Sequence, residues 1–234
     1  MMHPAPRAAG VAGVLAGIGL AIEFALFTAS GWTPTTFSHP DRALAFLQTG
    51  GTLLRAAGFV GILNLALAVL WVAGLAASLT HGARTRATAT LYLALVGMAG
   101  HALVPVGLWL AVPAFLELAT RDAPASAGGW SGFAALLSAA GGVGYLFGGL
   151  ALLAAGSAIV ARRTGSATLG WVGLVGGGAS VLTVLADETA LDALAATSFL
   201  PALLLTITFR LWSGYVLWRV ADEPPARRYA EASR

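Results

Sequence analysis

The chain has 234 residues, of which 58% are hydrophobic and 10% charged, with a mean hydropathy of +0.82. A soluble domain carries about a quarter charged residues to wet its surface, so this composition excludes an ordinary soluble globule and points to lipid as the solvent. The net charge of +3 comes from 13 arginines against 10 acids, too sparse for the basic stripe that a phosphate backbone requires, so no nucleic-acid partner is expected.

Cysteine and lysine are both absent. Their absence removes disulfides, thiolate metal sites, cysteine nucleophiles, Schiff-base chemistry and a phosphate-loop lysine. Six apolar segments are predicted to be transmembrane helices: about 8–30, 53–79, 89–115, 131–160, 169–186 and 199–220. Each can cross about 30 Å of hydrocarbon, the fifth at the short limit. Helices are expected because backbone groups in lipid must bond within their own segment, and alternating barrel strands are missing. The predicted fold is an all-α, six-span polytopic bundle over 1–220, followed by a polar cytoplasmic tail, 221–234.

The first segment is longer than a secretory core and carries Glu23, so it is expected to be a retained span. Its Gly13–Gly17 spacing is of the kind that lets helices approach closely in a membrane. The linker 31–52 is the longest. Pro40, Asp41 and apolar positions at Ala43, Leu44, Phe46 and Leu47 predict a short helix, 40–48, lying on the outer surface.

The second segment holds Asn64, with Arg55 near its outer end. "LRAAGFVGIL" (54–63) reappears as "LSAAGGVGYL" (137–146), which suggests that spans two–three and four–five are a parallel hairpin repeat. The third segment contains "LYLALVGMAGHALVPVGLWLAVPAF", where His101 precedes Pro105 by four residues. Proline lacks the N–H that would bond the His101 carbonyl, and a neutral imidazole can hydrogen-bond a neighbouring helix. Haem at His101 would need a second axial ligand at similar depth, and His3, His39 and His81 lie in loops or at surfaces, so no cofactor is expected.

In the fourth and fifth segments, Ala140, Gly144 and Gly148, then Gly173 and Gly177, recur at four-residue spacing. They read as close-packing faces, serving the bundle or a second copy of the chain. Asp187, Glu188 and Asp192 follow as a solvated acidic loop, with no metal expected. The sixth segment carries Arg210.

Arg7, Arg84, Arg86, Arg162, Arg163, Arg219, Arg227, Arg228 and Arg234 fall on one side of the spans, and Arg42, Arg55 and Arg121 on the other. That bias places both termini in the cytoplasm and makes the chain a multi-pass protein of the inner (plasma) membrane, which the resemblance given below implies to be bacterial.

Glu23, Asn64, His101 and Arg210 are the strongly polar groups inside spans. Such groups are costly in hydrocarbon and usually face one another. At 1.5 Å per residue, Arg210 and His101 fall near the midplane and Glu23 in the outer half, so Arg210 is expected to reach Glu23. The expected pairing is structural, and a ligand or proton site among the four residues is the alternative.

No HExxH, serine elbow or intramembrane carboxylate pair is present, so no enzymatic reading is favoured. Two functions stay open. One is a structural or accessory membrane protein whose partners are the lipid bilayer, other membrane subunits or itself, through the glycine faces. The alternative is a small transporter or ligand-binding sensor with its site between spans.

"RRTGSATLGWVGLVGG", "FRLWSGYVLWR" and "RALAFLQTGGTLLRAAGFVGILNLALAVLWVAGLAASL" resemble a family of bacterial six-span proteins grouped as domain of unknown function 4386. The resemblance covers nearly the whole chain. It implies a six-helix membrane fold and no established activity, and it assigns no catalytic residue.

Overall fold

A computed structural model of the chain describes residues 4–31, 40–162, 166–188 and 192–221. Apart from Ser30, Gly31, Asp122 and Ser166, every described residue is helical. Six spans are long and apolar enough to cross a membrane: Arg7–Ala29, Ala45–Thr80, Ala83–Arg121, Ala123–Ala161, Ala167–Asp187 and Ala193–Val220. The protein is an all-α, multi-pass membrane bundle. Leu63, Leu70, Leu110, Leu136 and Leu204 are each more than half exposed, a pattern suited to lipid contact and not to water.

The six spans form a ring. Each packs on its neighbour in chain order, and the sixth returns to the first. Glycine lies at the seams. A methyl group at Gly156 would meet the carbonyl oxygen of Gly170 at 2.6 Å, and one at Gly214 would meet the amide of Val14, also at 2.6 Å. These are backbone-to-backbone approaches, and the glycine spacings in spans one, four and five serve seams inside the ring.

One helical run, Pro40–Arg121, carries both the second and the third span. The chain reverses near His81 and Gly82, because Gly58 faces Pro105 and Trp109 while Gly51 faces Val112 and Leu116. The expected surface helix 40–48 is helical, but it is continuous with the second span instead of lying apart from it. Phe46 and Leu47 explain the difference: both are buried in a cluster with Leu108, Val112 and Trp130. Packing against two neighbouring helices hides more apolar surface than a headgroup layer offers.

The third-to-fourth connection is likewise tighter than expected. Only Asp122 separates the helices, and its Oδ1 accepts the amide of Ala125 at 3.0 Å as an N-cap. Ser126 Oγ donates to the Phe115 carbonyl at 2.7 Å and ties the corner down.

The matching decapeptides do not have equivalent surroundings. Gly58 and Gly61 face Pro105 from the second span, whereas Gly141 and Gly144 face Val104 and His101 from the fourth. Both therefore flank the third span, where a parallel hairpin repeat would direct the second copy at the fifth. Of the acidic loop, Asp187 ends the fifth span, while the side chains of Glu188 and Asp192 lie outside the described residues. The tail 222–234 lies outside them as well.

Candidate functional site

A chain of polar contacts crosses the inside of the ring. Asn64 Nδ2 donates to Glu23 Oε2 at 3.2 Å, and Arg210 Nη1 donates to Asn64 Oδ1, also at 3.2 Å. Glu23 and Asn64 are buried. Glu23 and Arg210 do not touch directly: no described ion pair joins them, and the Asn64 amide stands between them. The expected direct pair is thus replaced by a three-residue relay over spans one, two and six. An amide can serve as that link because it carries a donor and an acceptor on one side chain.

The relay borders a cavity of about 130 Å³ to which all six spans contribute, with Leu20, Trp71, His101, Tyr145, Ser180 and Arg210 each from a different one. Aliphatic side chains, among them Leu65, Val72, Leu75, Ala94, Leu152 and Leu203, form much of the lining. Thr90, Ser180 and Thr206 also line it, but their hydroxyls donate to carbonyls of their own helices, at 2.8, 3.0 and 2.8 Å. They face the space as acceptors only.

The donors are Arg210, His101 and Tyr145. None of the three has a hydrogen bond among the described residues beyond the single Arg210–Asn64 contact, and Arg210 Nε is buried without a partner. The expected bond from His101 to a neighbouring helix does not form, because the imidazole sits at the cavity wall and its backbone packs against Gly144.

Three glycines make room for the site. A methyl at Gly61 would lie 2.6 Å from Glu23 Oε1 and 2.7 Å from Pro105 Cβ. One at Gly144 would lie 2.6 Å from His101 Cβ, and one at Gly13 would overlap Trp71. Trp71 in turn supports Arg210: its ring centroid is 5.6 Å from the guanidinium carbon, and its Nε1 donates to Ser213 Oγ at 3.0 Å. Ser213 donates onward to the Phe209 carbonyl at 2.6 Å. Across the ring, Phe199 meets Phe24 at 6.0 Å and Tyr145 at 5.6 Å, joining spans one, four and six.

Of the four sequence-predicted residues, Glu23, Asn64 and Arg210 join one network, and His101 shares the cavity with Arg210. Arg55, near the outer end of the second span, stacks over Trp109 at 4.4 Å and stays outside the site. Sequence reasoning missed Tyr145 and Trp71. Their signal was present, since each is an aromatic with a polar handle placed away from the span ends where such residues usually anchor. Among the described residues no group of three or more metal-ligating side chains converges. No family model, curated protein or solved structure matches the chain.

Proposed function

We propose that this is a ligand-binding membrane protein, a small transporter or sensor, whose binding site is the central cavity. One observation carries the reading: Arg210 lines that cavity with Nη2 lacking a partner among the described residues, although a cation in the hydrocarbon zone normally has its donors satisfied. A bound molecule supplies the missing acceptor. The volume of about 130 Å³ is close to the ~150 Å³ apolar cavity known to take up benzene, so the ligand has a compact apolar body with one polar end.

The same proposal includes the bacterial plasma membrane, cytoplasmic termini from the arginine bias, and kinship with the six-span family that the sequence resembles. A structural or accessory subunit is the other reading of the sequence. It drew support from the glycine faces, and seams within the ring occupy most of those.

The test uses Gly148, which lines the cavity and where an added Cβ would meet no atom within 4 Å. Gly148→Leu directs a side chain into the space from a position where the first added carbon meets no atom. The full-length protein in lipid nanodiscs is heated with benzoate, benzylamine or benzyl alcohol. At least one probe is expected to raise the melting temperature of the native chain and to leave Gly148→Leu unmoved. No response to any of the three defeats the ligand-site reading.

A further inference from the structure

We infer that the cavity takes a small monocarboxylate, held at Nη2 of Arg210, and that each carboxylate bound brings one proton onto Glu23. The inference rests on the ligand-site reading and deepens it to a charge class and a coupling. It begins with the geometry of one guanidinium. Arg210 spends Nη1 on Asn64 and has Nε buried out of reach, which leaves Nη2 as the group without a partner among the described residues that can meet a ligand. A charge-assisted hydrogen bond from Nη2 to a carboxylate is stronger than one to a neutral alcohol. An ammonium cannot accept it.

The lining offers polar groups of both kinds. Three hydroxyls face the space as acceptors, while His101 and Tyr145 line it with donors not committed among the described residues. An anion turns to Arg210, His101 and Tyr145 and away from the hydroxyls.

The proton follows from charge balance. The titratable groups near Glu23 are Arg210 on the sixth span and Tyr145 on the fourth, with His101 of the third sharing the cavity with Arg210; the second span faces Glu23 with the neutral Asn64. With Glu23 ionised, Arg210 charged and the other two neutral, the cluster sums to zero. A carboxylate added to it leaves a net negative charge inside hydrocarbon, which is costly. A proton taken from water onto Glu23 restores neutrality. Asn64 keeps its place in both states, because its amide can donate to a carboxylate or to the carbonyl of a carboxyl group. Binding of the anion and of the proton are thus linked, and each must raise the affinity for the other by the same factor.

The experiment uses the full-length protein in nanodiscs, with benzoate as the probe and benzyl alcohol and benzylamine as controls of the same body. Benzoate is titrated between pH 6 and 8 in weakly buffered solution containing a pH indicator. In the native chain, proton uptake per benzoate is expected to rise toward one, and affinity to fall toward tenfold per pH unit, as the pH climbs and Glu23 is ionised before benzoate arrives. Glu23→Gln is expected to bind benzoate with no uptake and a flat pH profile, which also excludes entry of neutral benzoic acid, since that acid would carry its proton into either protein. Arg210→Gln removes the charge that holds the anion and is expected to weaken benzoate at least tenfold.

Binding of benzyl alcohol or benzylamine without benzoate overturns the anion assignment and leaves the ligand-site reading standing. Proton uptake that persists in Glu23→Gln overturns the coupling. Silence from all three probes ends both.

Discussion

At the scale of single residues, Asn64 decides how two buried charges coexist. It gives its amide hydrogen to Glu23 and its amide oxygen to Arg210, so removing it strands both. Asn64→Leu keeps the approximate volume and deletes both contacts. It is expected to destabilise the bundle by about 1–3 kcal/mol, or more because charged groups lose partners. A double-mutant cycle separates this arrangement from a direct ion pair. Glu23→Gln and Arg210→Gln should show a coupling of about 0.6–1.7 kcal/mol, the range of hydrogen-bonded pairs between membrane helices. In an Asn64→Leu background that coupling should fall to near zero, as read from reversible unfolding in mixed micelles. Coupling that survives the loss of Asn64 means that Glu23 and Arg210 sense each other without it.

At the scale of the elements, helices with nearly uniform apolar surfaces have no hydrophobic drive to associate in lipid, so dispersion at close range has to hold them. Glycine permits that range where backbone meets backbone. Spans four and five approach through Gly156, where a methyl would lie 2.6 Å from the Gly170 carbonyl and 2.7 Å from the Leu174 amide. Neither neighbour is a flexible side chain, so the clash is relieved only by moving a helix. Gly156→Ala is therefore expected to cost about 1–3 kcal/mol, the usual range for overpacking. Gly142→Ala, on the same span but with no atom within 4 Å of the new methyl, should be neutral or slightly stabilising, as helix propensity alone dictates. Equal losses at the two positions in thermal unfolding would show that the seam geometry is not what Gly156 serves.

At the scale of the whole molecule, the ring places the cavity in the half that lies toward Arg84 and Arg86. In the opposite half, spans two to four pack around Trp130, Leu108 and Val112. With the proposed orientation, the half holding the central cavity is cytoplasmic and the opposite half external. Thr85 and Ala125 are exposed at the two ends, and the native chain has no cysteine to interfere. Thr85→Cys should be shielded from an impermeant thiol reagent in intact cells, and Ala125→Cys should react. The reverse pattern inverts the protein in the membrane and turns the cavity half outward.

Composition and run length alone determined that the chain is a six-span helical membrane protein, because lipid forces every backbone group to bond within its own segment. The same cost of burying charge made Glu23, Asn64, His101 and Arg210 legible as residues that face inward. Their partners were not legible. Depth can be counted along one helix, but rotation about its axis is set by its neighbours, so only the tertiary structure inserted Asn64 between Glu23 and Arg210. For the same reason the sequence placed a helix at 40–48 without showing that Phe46 and Leu47 would bury it against the third and fourth spans. Tyr145 and Trp71 acquired roles only once closure of the ring brought the fourth and second spans to the same cavity. An apolar sequence fixes which solvent each segment prefers, whereas which face of it meets which neighbour is decided by close packing among helices far apart in the chain.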